Sequence, residues 1–175
     1  MKILKKNILW IIAIIILILF IVSYKIINKP TYGNDIESIE EVITSFDIYN
    51  GKTIHILGIH DFDDDRVVAF FSNDSPSIVE FERNEKCNYV SPCAETRGIE
   101  RLSQFIITHV GKNDEVVVVS VRNQFSDIDE FSFISNKNMY KVKFDSDSPN
   151  VQWTKLIKSV DGHYSFEWFY SDKES

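Results

Sequence analysis

The chain has 175 residues, of which 19 are Lys or Arg and 26 are Asp or Glu, so its formal net charge is −7 at pH 7. Residues 1–29 hold five lysines and no acid, which leaves 14 basic against 26 acidic residues, a net charge of −12, in residues 30–175. Nucleic acid and anionic lipid repel a domain this acidic, which excludes both as predicted partners of residues 30–175.

An apolar segment near the N-terminus has the length and composition of a transmembrane helix. No charged residue occurs from Asn7 to Tyr24. As a helix this segment spans about 27 Å, close to the thickness of the hydrocarbon core of a bilayer. Trp10 and Tyr24 lie near its two ends, where aromatic side chains favour the membrane interface. We therefore predict a single-pass helix that contacts the membrane through residues 8–24.

The residues around this segment favour an uncleaved anchor. A cleaved signal peptide needs small residues at an Ala-x-Ala-like site, and a lipoprotein needs a cysteine, directly after the apolar run. Neither is present, since the first cysteine is Cys87. Three lysines precede the helix and two follow it, which favours a cytoplasmic N-terminus at the cell membrane. The predicted domains are a cytoplasmic tip and anchor, 1–29, and an extracytoplasmic domain, 30–175.

The extracytoplasmic domain is predicted to begin with one amphipathic helix. Asn34 and Glu37 have the spacing of a helix-capping pair. Apolar residues then recur at helical spacing and form one stripe, expected to pack in the core: Ile36, Ile39, Val42, Ile43 and Phe46.

After Asn50-Gly51 the pattern changes to that of strands. The predicted strands are short apolar or alternating segments: Thr53–His60, Arg66–Ser72, Ser77–Arg83, Gln104–Val110, Val116–Val119, Tyr140–Phe144, Val151–Val160 and His163–Tyr170. Residues 99–110 also fit a helix, although their second half is more strand-like. The four valines of Val116–Val119 are typical of a central strand buried on both faces.

The Asp161-Gly162 pair predicts a hairpin turn between the last two predicted strands. One helix and about eight or nine antiparallel strands make an α+β, mainly antiparallel β domain. In this fold the amphipathic helix packs on a meander or sandwich-like sheet.

Several segments together carry a resemblance. They are the lysine-led anchor, the helix segment Glu37–Ile43, the strand Arg66–Phe71, and the segment Ile128–Phe133 that leads into Tyr140–Phe144. In this order they resemble a group of small, uncharacterised membrane-anchored proteins of Gram-positive bacteria. The resemblance implies an architecture and a membrane location, and it implies no activity, cofactor or site residue.

The densest run of acidic residues lies between two predicted strands. Asp61, Asp63 and Asp65 alternate as at the start of a calcium loop. The pattern then stops, because Arg66 stands at the sixth position in place of glycine and Ser72 at the twelfth in place of glutamate. We predict a solvated hairpin turn with no metal. The shorter acidic segments 127–130 and 145–149 are also predicted to be turns.

The histidines form no recognisable catalytic or metal-binding motif. His55 and His60 lie five positions apart, which places them on opposite faces of an ideal strand. His109 and His163 are predicted to be structural. The sequence contains no His-Glu-x-x-His, Gly-x-Ser-x-Gly or glycine-rich phosphate motif. We therefore predict no catalytic residue, no metal site and no cofactor.

Cys87 and Cys93 are predicted to form a disulfide, because the domain is expected in an oxidising compartment. Two free thiols are the alternative, and two cysteines alone are too few to hold a metal.

The final predicted strand carries an aromatic stripe on one face, predicted to be core: Tyr164, Phe166, Trp168 and Tyr170. Phe169, on the opposite face with Glu167, is predicted to be partly exposed.

These patterns predict a membrane-tethered extracytoplasmic binding or accessory module, not an enzyme. Its predicted partners are the membrane, through residues 8–24, and another envelope protein. The alternatives are a cell-envelope hydrolase with an unrecognised site and an immunity or stress-protection factor.

Overall fold

The fold is taken from a computed structural model, which describes residues 14–23, 31–144 and 150–170. The chain divides into two compact units, Met1–Thr31 and Tyr32–Ser175. In the first unit, residues 14–23 are helical. The side chains from Ile14 to Val22 are each between 47% and 68% exposed. Within the described ranges no helix is long and apolar enough to cross a membrane. The remaining residues of the predicted span lie outside these ranges.

In its described part, the second unit contains one α-helix, a short 3-10 helix and ten strands. Helix α1 is Ile36–Ser45, and the 3-10 helix Asp47–Tyr49 follows it. The strands in chain order are β1 (Ile54–Phe62), β2 (Asp65–Ser72), β3 (Ser75–Arg83), β4 (Tyr89–Thr96), β5 (Leu102–Val110), β6 (Glu115–Arg122), β7 (Glu130–Ser135), β8 (Asn138–Lys143), β9 (Val151–Lys155) and β10 (Phe166–Tyr170).

Helix α1 is capped one residue later than predicted. The Asp35 carboxylate accepts a hydrogen bond from the Ser38 amide at 2.8 Å, and the Ser38 hydroxyl accepts one from the Asp35 amide at 3.0 Å. This reciprocal pair is a capping box, so the predicted pair of Asn34 with Glu37 is wrong. The Asn34 carboxamide instead accepts a hydrogen bond from the Tyr89 amide at 3.0 Å and thereby fastens the start of the domain to β4.

The apolar stripe of α1 packs on the first sheet, as predicted. Its buried members are Ile39, Val42 and Ile43, whereas Ile36 is 59% exposed. The stripe shares a core with residues of the 3-10 helix, β2 and β3: Tyr49, Val68, Phe70, Val79 and Phe81.

The ten strands form three antiparallel sheets, with the strand orders β1-β2-β3-β4, β5-β6-β9 and β10-β7-β8. The α+β, mainly antiparallel β prediction is therefore confirmed. The sequence patterns do not predict β4, which contains Pro92, or β7. Strand β7 does have a recognisable strand pattern, since Phe131 and Phe133 alternate with smaller residues.

Strand β6 is central and buried on both faces, as its valines predict. Val117 and Val119 lie in one core with the first sheet, while Val116 and Val118 lie in another core with the third sheet. The sheet that contains β6 is therefore the middle layer. The strand prediction for residues 104–110 is also confirmed, because this segment belongs to β5.

The predicted hairpin at Asp161-Gly162 is wrong. A local turn does exist, since Gly162 has φ +75° and the Asp161 carboxylate accepts hydrogen bonds from the Ser159 hydroxyl and the His163 amide. However, β9 pairs with β6 and β10 pairs with β7. The chain therefore crosses from the middle sheet to the third sheet through a loop, residues 156–165.

Several turns meet at one end of the second unit, which we call the proximal end because residues 32–34 lie there. The side chain of Asn34 accepts a hydrogen bond from Tyr89, at the start of β4 in the β3–β4 hairpin. Hydrogen bonds also link the β1–β2 turn to the β5–β6 turn, the β5–β6 turn to loop 156–165, and this loop to the β7–β8 turn.

Candidate functional site

The aspartate run forms a turn between β1 and β2, as predicted, and two of its carboxylates bind a second turn. Asp65 accepts a hydrogen bond from the Gly111 amide at 2.6 Å, and Asp63 accepts one from the Lys112 amide at 3.0 Å. These bonds connect the first sheet to the middle sheet. Among the described residues no group of three or more His, Cys, Asp or Glu side chains is arranged to hold a metal ion. That the protein binds no metal stays a prediction.

Asp61, the first aspartate of the run, forms a bidentate ion pair with Arg66. The Nε and Nη2 atoms of Arg66 lie 2.6 and 2.8 Å from the two Asp61 oxygens. This hydrogen bonding holds the pKa of Asp61 below its ordinary value. Arg66 also donates to the Gly33 carbonyl at 2.9 Å and lies over the Tyr89 ring at 4.1 Å. The aspartate run is therefore part of the scaffold.

The close approach of residues 32–34 to the sheet requires glycine at position 33. A Cβ atom on Gly33 would lie 2.3 Å from the Phe81 ring. Because Gly33 has no side chain, the backbone before α1 lies close enough to the sheet for Arg66 to donate to the Gly33 carbonyl. No short sequence motif signals either interaction.

The two histidines of β1 lie on the same face, contrary to the prediction. A β-bulge between Ile56 and Gly58 adds one residue, so His55 pairs with Phe71 and His60 pairs with Val67. Both partners belong to the core between the first and middle sheets. The two histidines remain about 13 Å apart along the strand. His60 stacks on Trp153, with ring centroids 5.5 Å apart, so its ring packs against the middle sheet.

The other two histidines lie at the proximal end. His109 contacts the Asp114 carboxylate in the β5–β6 turn. His163 is exposed, and its backbone carbonyl accepts a hydrogen bond from Asn136 at 2.8 Å.

Cys87 and Cys93 are both free and exposed. Cys93 lies in β4 opposite Glu80, whereas Cys87 lies in the turn between β3 and β4. Extended chain between them places their Cα atoms more than about 10 Å apart, whereas a disulfide needs about 7 Å or less. Pairing in an oxidised, exported protein stays a prediction, and it requires this end of the hairpin to rearrange.

The surroundings of Cys93 also disfavour nucleophilic chemistry. Although Cys93 as a residue is exposed, its thiol is partly buried against Glu80, and this burial, followed by the charge of Glu80, raises the pKa of the Cys93 thiol; burial also raises the pKa of Glu80. The Cys93 thiol donates to Glu80 Oε1 at 3.7 Å. A nucleophilic cysteine needs a lowered pKa and a basic neighbour, so this pair has the opposite environment.

The aromatic stripe of β10 packs in the core with the middle sheet, except at its end. Phe166 and Trp168 are half-buried, whereas Tyr170 is 48% exposed. Phe169, on the opposite face, is 47% exposed, as predicted.

An open cleft of about 1040 Å³ lies where the third sheet meets loop 156–165. It is lined by the β7–β8 turn, the loop and the start of β10: Ile134, Asn136, Lys137, Asn138, Ile157, Lys158, Ser159, Val160, Asp161, His163, Tyr164, Ser165 and Glu167. These residues come from two distant segments, so the sequence pattern does not predict the cleft. Its lining combines apolar side chains with amides, hydroxyls and charges.

Hydrogen bonds within its rim fix the shape of this cleft. The Asn136 carboxamide accepts from the Ser165 amide at 3.2 Å, and the Tyr164 hydroxyl accepts from the Ser159 amide at 3.0 Å. The hydrogen bond from the Ser159 hydroxyl lowers the pKa of Asp161. Two apolar side chains remain at the surface, since Ile157 is 61% exposed and Val160 is fully exposed. The cleft therefore has a positioned polar rim with apolar groups available for contact.

Comparison of the chain with protein-family models, curated proteins and solved structures found no match.

Proposed function

We propose that this protein is a membrane-tethered extracytoplasmic binding or accessory module. Its anchor is a helix over residues 8–24, its N-terminus is cytoplasmic, and residues 30–175 face outward. The cleft beside loop 156–165 is its binding region, and another protein of the cell envelope is its partner.

The anchor is supported by apolar exposure in the first unit. The side chains from Ile14 to Val22 are about half exposed, and a continuous apolar surface of this kind is characteristic of a segment whose partner is lipid. The flanking lysines support the orientation.

One observation favours a binding function over a catalytic one. The acidic residues that most resemble a chemical site, Asp61, Asp63 and Asp65, hold the fold together through Arg66 and the β5–β6 turn. The cleft, by contrast, offers hydrogen-bonding and apolar groups without a hydrogen-bonded serine–histidine or cysteine–histidine pair among its described side chains.

The test is photo-crosslinking in intact cells with the full chain. A photoreactive amino acid at Val160, in the cleft, is expected to give a discrete crosslinked partner. The same amino acid at Val90, which is 43% exposed on β4, serves as the control. Crosslinks that are absent at position 160, or equal at both positions, would reject the cleft as the binding region.

Catalysis is tested separately through the cleft side chains. The double variant Ser159→Ala/His163→Ala is expected to keep its biological phenotype wherever it keeps its crosslink. Loss of the phenotype with an intact fold and an unchanged crosslink would show that the cleft performs chemistry.

A further inference from the structure

Bulges, prolines, very short strands and charged side chains, lysine above all, protect a sheet edge against the addition of another strand. The three sheets have six edge strands among the described elements, and five of them carry a bulge, a proline or a lysine. They are a bulge after Ile56 in β1, Pro92 in β4, a bulge after Ile107 in β5, Lys141 and Lys143 in β8, and Lys155 in β9.

Strand β10 has no bulge, proline or lysine; it is five residues long, and its one charged side chain is that of Glu167. It pairs with β7 in unbroken register from Phe166 to Tyr170, and β7 is its one neighbour among the described strands. Four of its five residues are aromatic, and it contains no lysine, proline or glycine. No other described strand pairs with the backbone groups on its open side, and unpaired groups of this kind are where an extended chain adds to a sheet.

The side chains of β10 indicate the chemistry of that chain. Phe169 and Tyr170 are 47% and 48% exposed and offer apolar contact. Glu167 is exposed, and its carboxylate forms no ion pair or hydrogen bond with the described residues. It also lines the cleft, so the edge and the cleft form one continuous surface. A free carboxylate on a domain of net charge −12 favours a basic partner.

We propose that the open edge of β10 binds an extended polypeptide segment that is mainly apolar and carries a lysine or arginine on the face shared by Glu167 and Phe169. The segment adds a strand to the third sheet, with its backbone paired to β10, its apolar residues against Phe169 and Tyr170, and a basic residue beside Glu167. This inference rests on the proposed binding function and names the kind of partner.

A second copy of this chain fits the edge less well. Two acidic domains repel each other.

The test uses the detergent-solubilised full chain and a random decapeptide library. The enriched peptides are expected to lack proline, to carry a lysine or arginine two positions from an apolar residue in a mainly apolar segment, and to slow amide hydrogen exchange in β10. Phe169→Lys, which places a lysine on the edge, is expected to weaken their binding by about tenfold or more. The matched control is Met139→Lys, at a 70% exposed apolar residue on the opposite edge strand β8, with binding unchanged within about twofold. Equal melting temperatures of the two variants exclude a folding defect.

The proposal is overturned if no peptide is enriched, or if Phe169→Lys and Met139→Lys bind the enriched peptides equally. A self-associated protein that loses its association in Phe169→Lys and binds no peptide would also overturn it, in favour of a second copy. Crosslinking at Val160 reports on the proposed function independently. A partner crosslinked there without any peptide dependent on β10 leaves that function standing and rejects this inference alone, whereas failure of both tests rejects both.

Discussion

Arg66 connects three parts of the fold through a single side chain. It pairs with Asp61, holds the Gly33 carbonyl and lies over Tyr89. Its side chain is only 14% exposed, although that of Asp61 is 47% exposed. Solvent therefore screens the ion pair in part, while the hydrogen bond to the carbonyl and the ring contact are more protected.

Replacing Arg66 is expected to destabilise the domain. Arg66→Ala removes charge-assisted hydrogen bonds and a ring contact, and it should lower the free energy of unfolding by about 2 kcal/mol in urea denaturation. The control is Arg83→Ala, which breaks a longer contact of 3.9 Å to Asp64 between two exposed side chains. It should cost less than about 0.5 kcal/mol. Equal losses in the two variants would show that Arg66 has no special role.

Glu80 is expected to reduce stability at neutral pH. Burial raises the pKa of its carboxyl above the ordinary value of 4.5, so the folded protein holds a proton on Glu80 more tightly than the unfolded chain does. The stabilisation that this proton contributes is fully present at pH values below the pKa of Glu80 in the unfolded chain. It is lost as pH rises through the pKa of Glu80 in the folded protein. Glu80→Gln, which is neutral throughout, should therefore unfold at higher urea than the parent protein at pH 7.

The pH dependence provides the second check on Glu80. The advantage of Glu80→Gln should shrink as pH falls toward 4.5. The exposed variant Glu100→Gln should show neither effect. A Glu80→Gln protein that is less stable than its parent at pH 7 would contradict the burial argument.

At the scale of the elements, the valines of β6 have the clearest energetic role. Val118 is fully buried between the middle and third sheets. Val118→Ala removes two buried carbon atoms and leaves a cavity, which should cost about 2 kcal/mol in the free energy of unfolding. The control is Val160→Ala at a fully exposed position, with a change below about 0.5 kcal/mol. Similar effects at both positions would contradict the burial of β6 against the third sheet.

Elements with strong local periodicity are the ones that the sequence predicts. The stripe of α1 and the valines of β6 are each recognisable from their own residues, because burial of one or both faces fixes their spacing. Strand pairing is not local. Asp161-Gly162 does form a turn, but the partners of the flanking strands are chosen by the middle and third sheets, which no dipeptide specifies.

The functional features depend on the same long-range choices. The faces of His55 and His60 follow from a bulge after Ile56 that the sequence does not signal. The cleft forms only because the chain crosses between sheets at loop 156–165 and meets the β7–β8 turn. Sequence patterns therefore predict that Asp61, Asp63 and Asp65 form a turn, but they do not reveal where a ligand binds.

At the scale of the whole molecule, the second unit is expected to fold without the anchor. The three apolar cores found among the described residues are all built from residues after Tyr32. Residues 30–175 expressed alone should therefore give a mainly β circular dichroism spectrum and a single cooperative melt. A spectrum of unfolded chain would show that residues 1–29 contribute to the core.

Thiol labelling of intact cells shows whether residues 30–175 face outward on an intact N-terminal anchor. Cys87 and Cys93 are the only cysteines, and both are exposed. After treatment with a membrane-impermeant reductant, an impermeant maleimide should label the membrane-bound, full-length protein on intact cells. A Lys5→Cys variant that lacks both native cysteines should be labelled only after lysis. Labelling of the native cysteines only after lysis, or a shortened soluble form in the medium, would contradict the account.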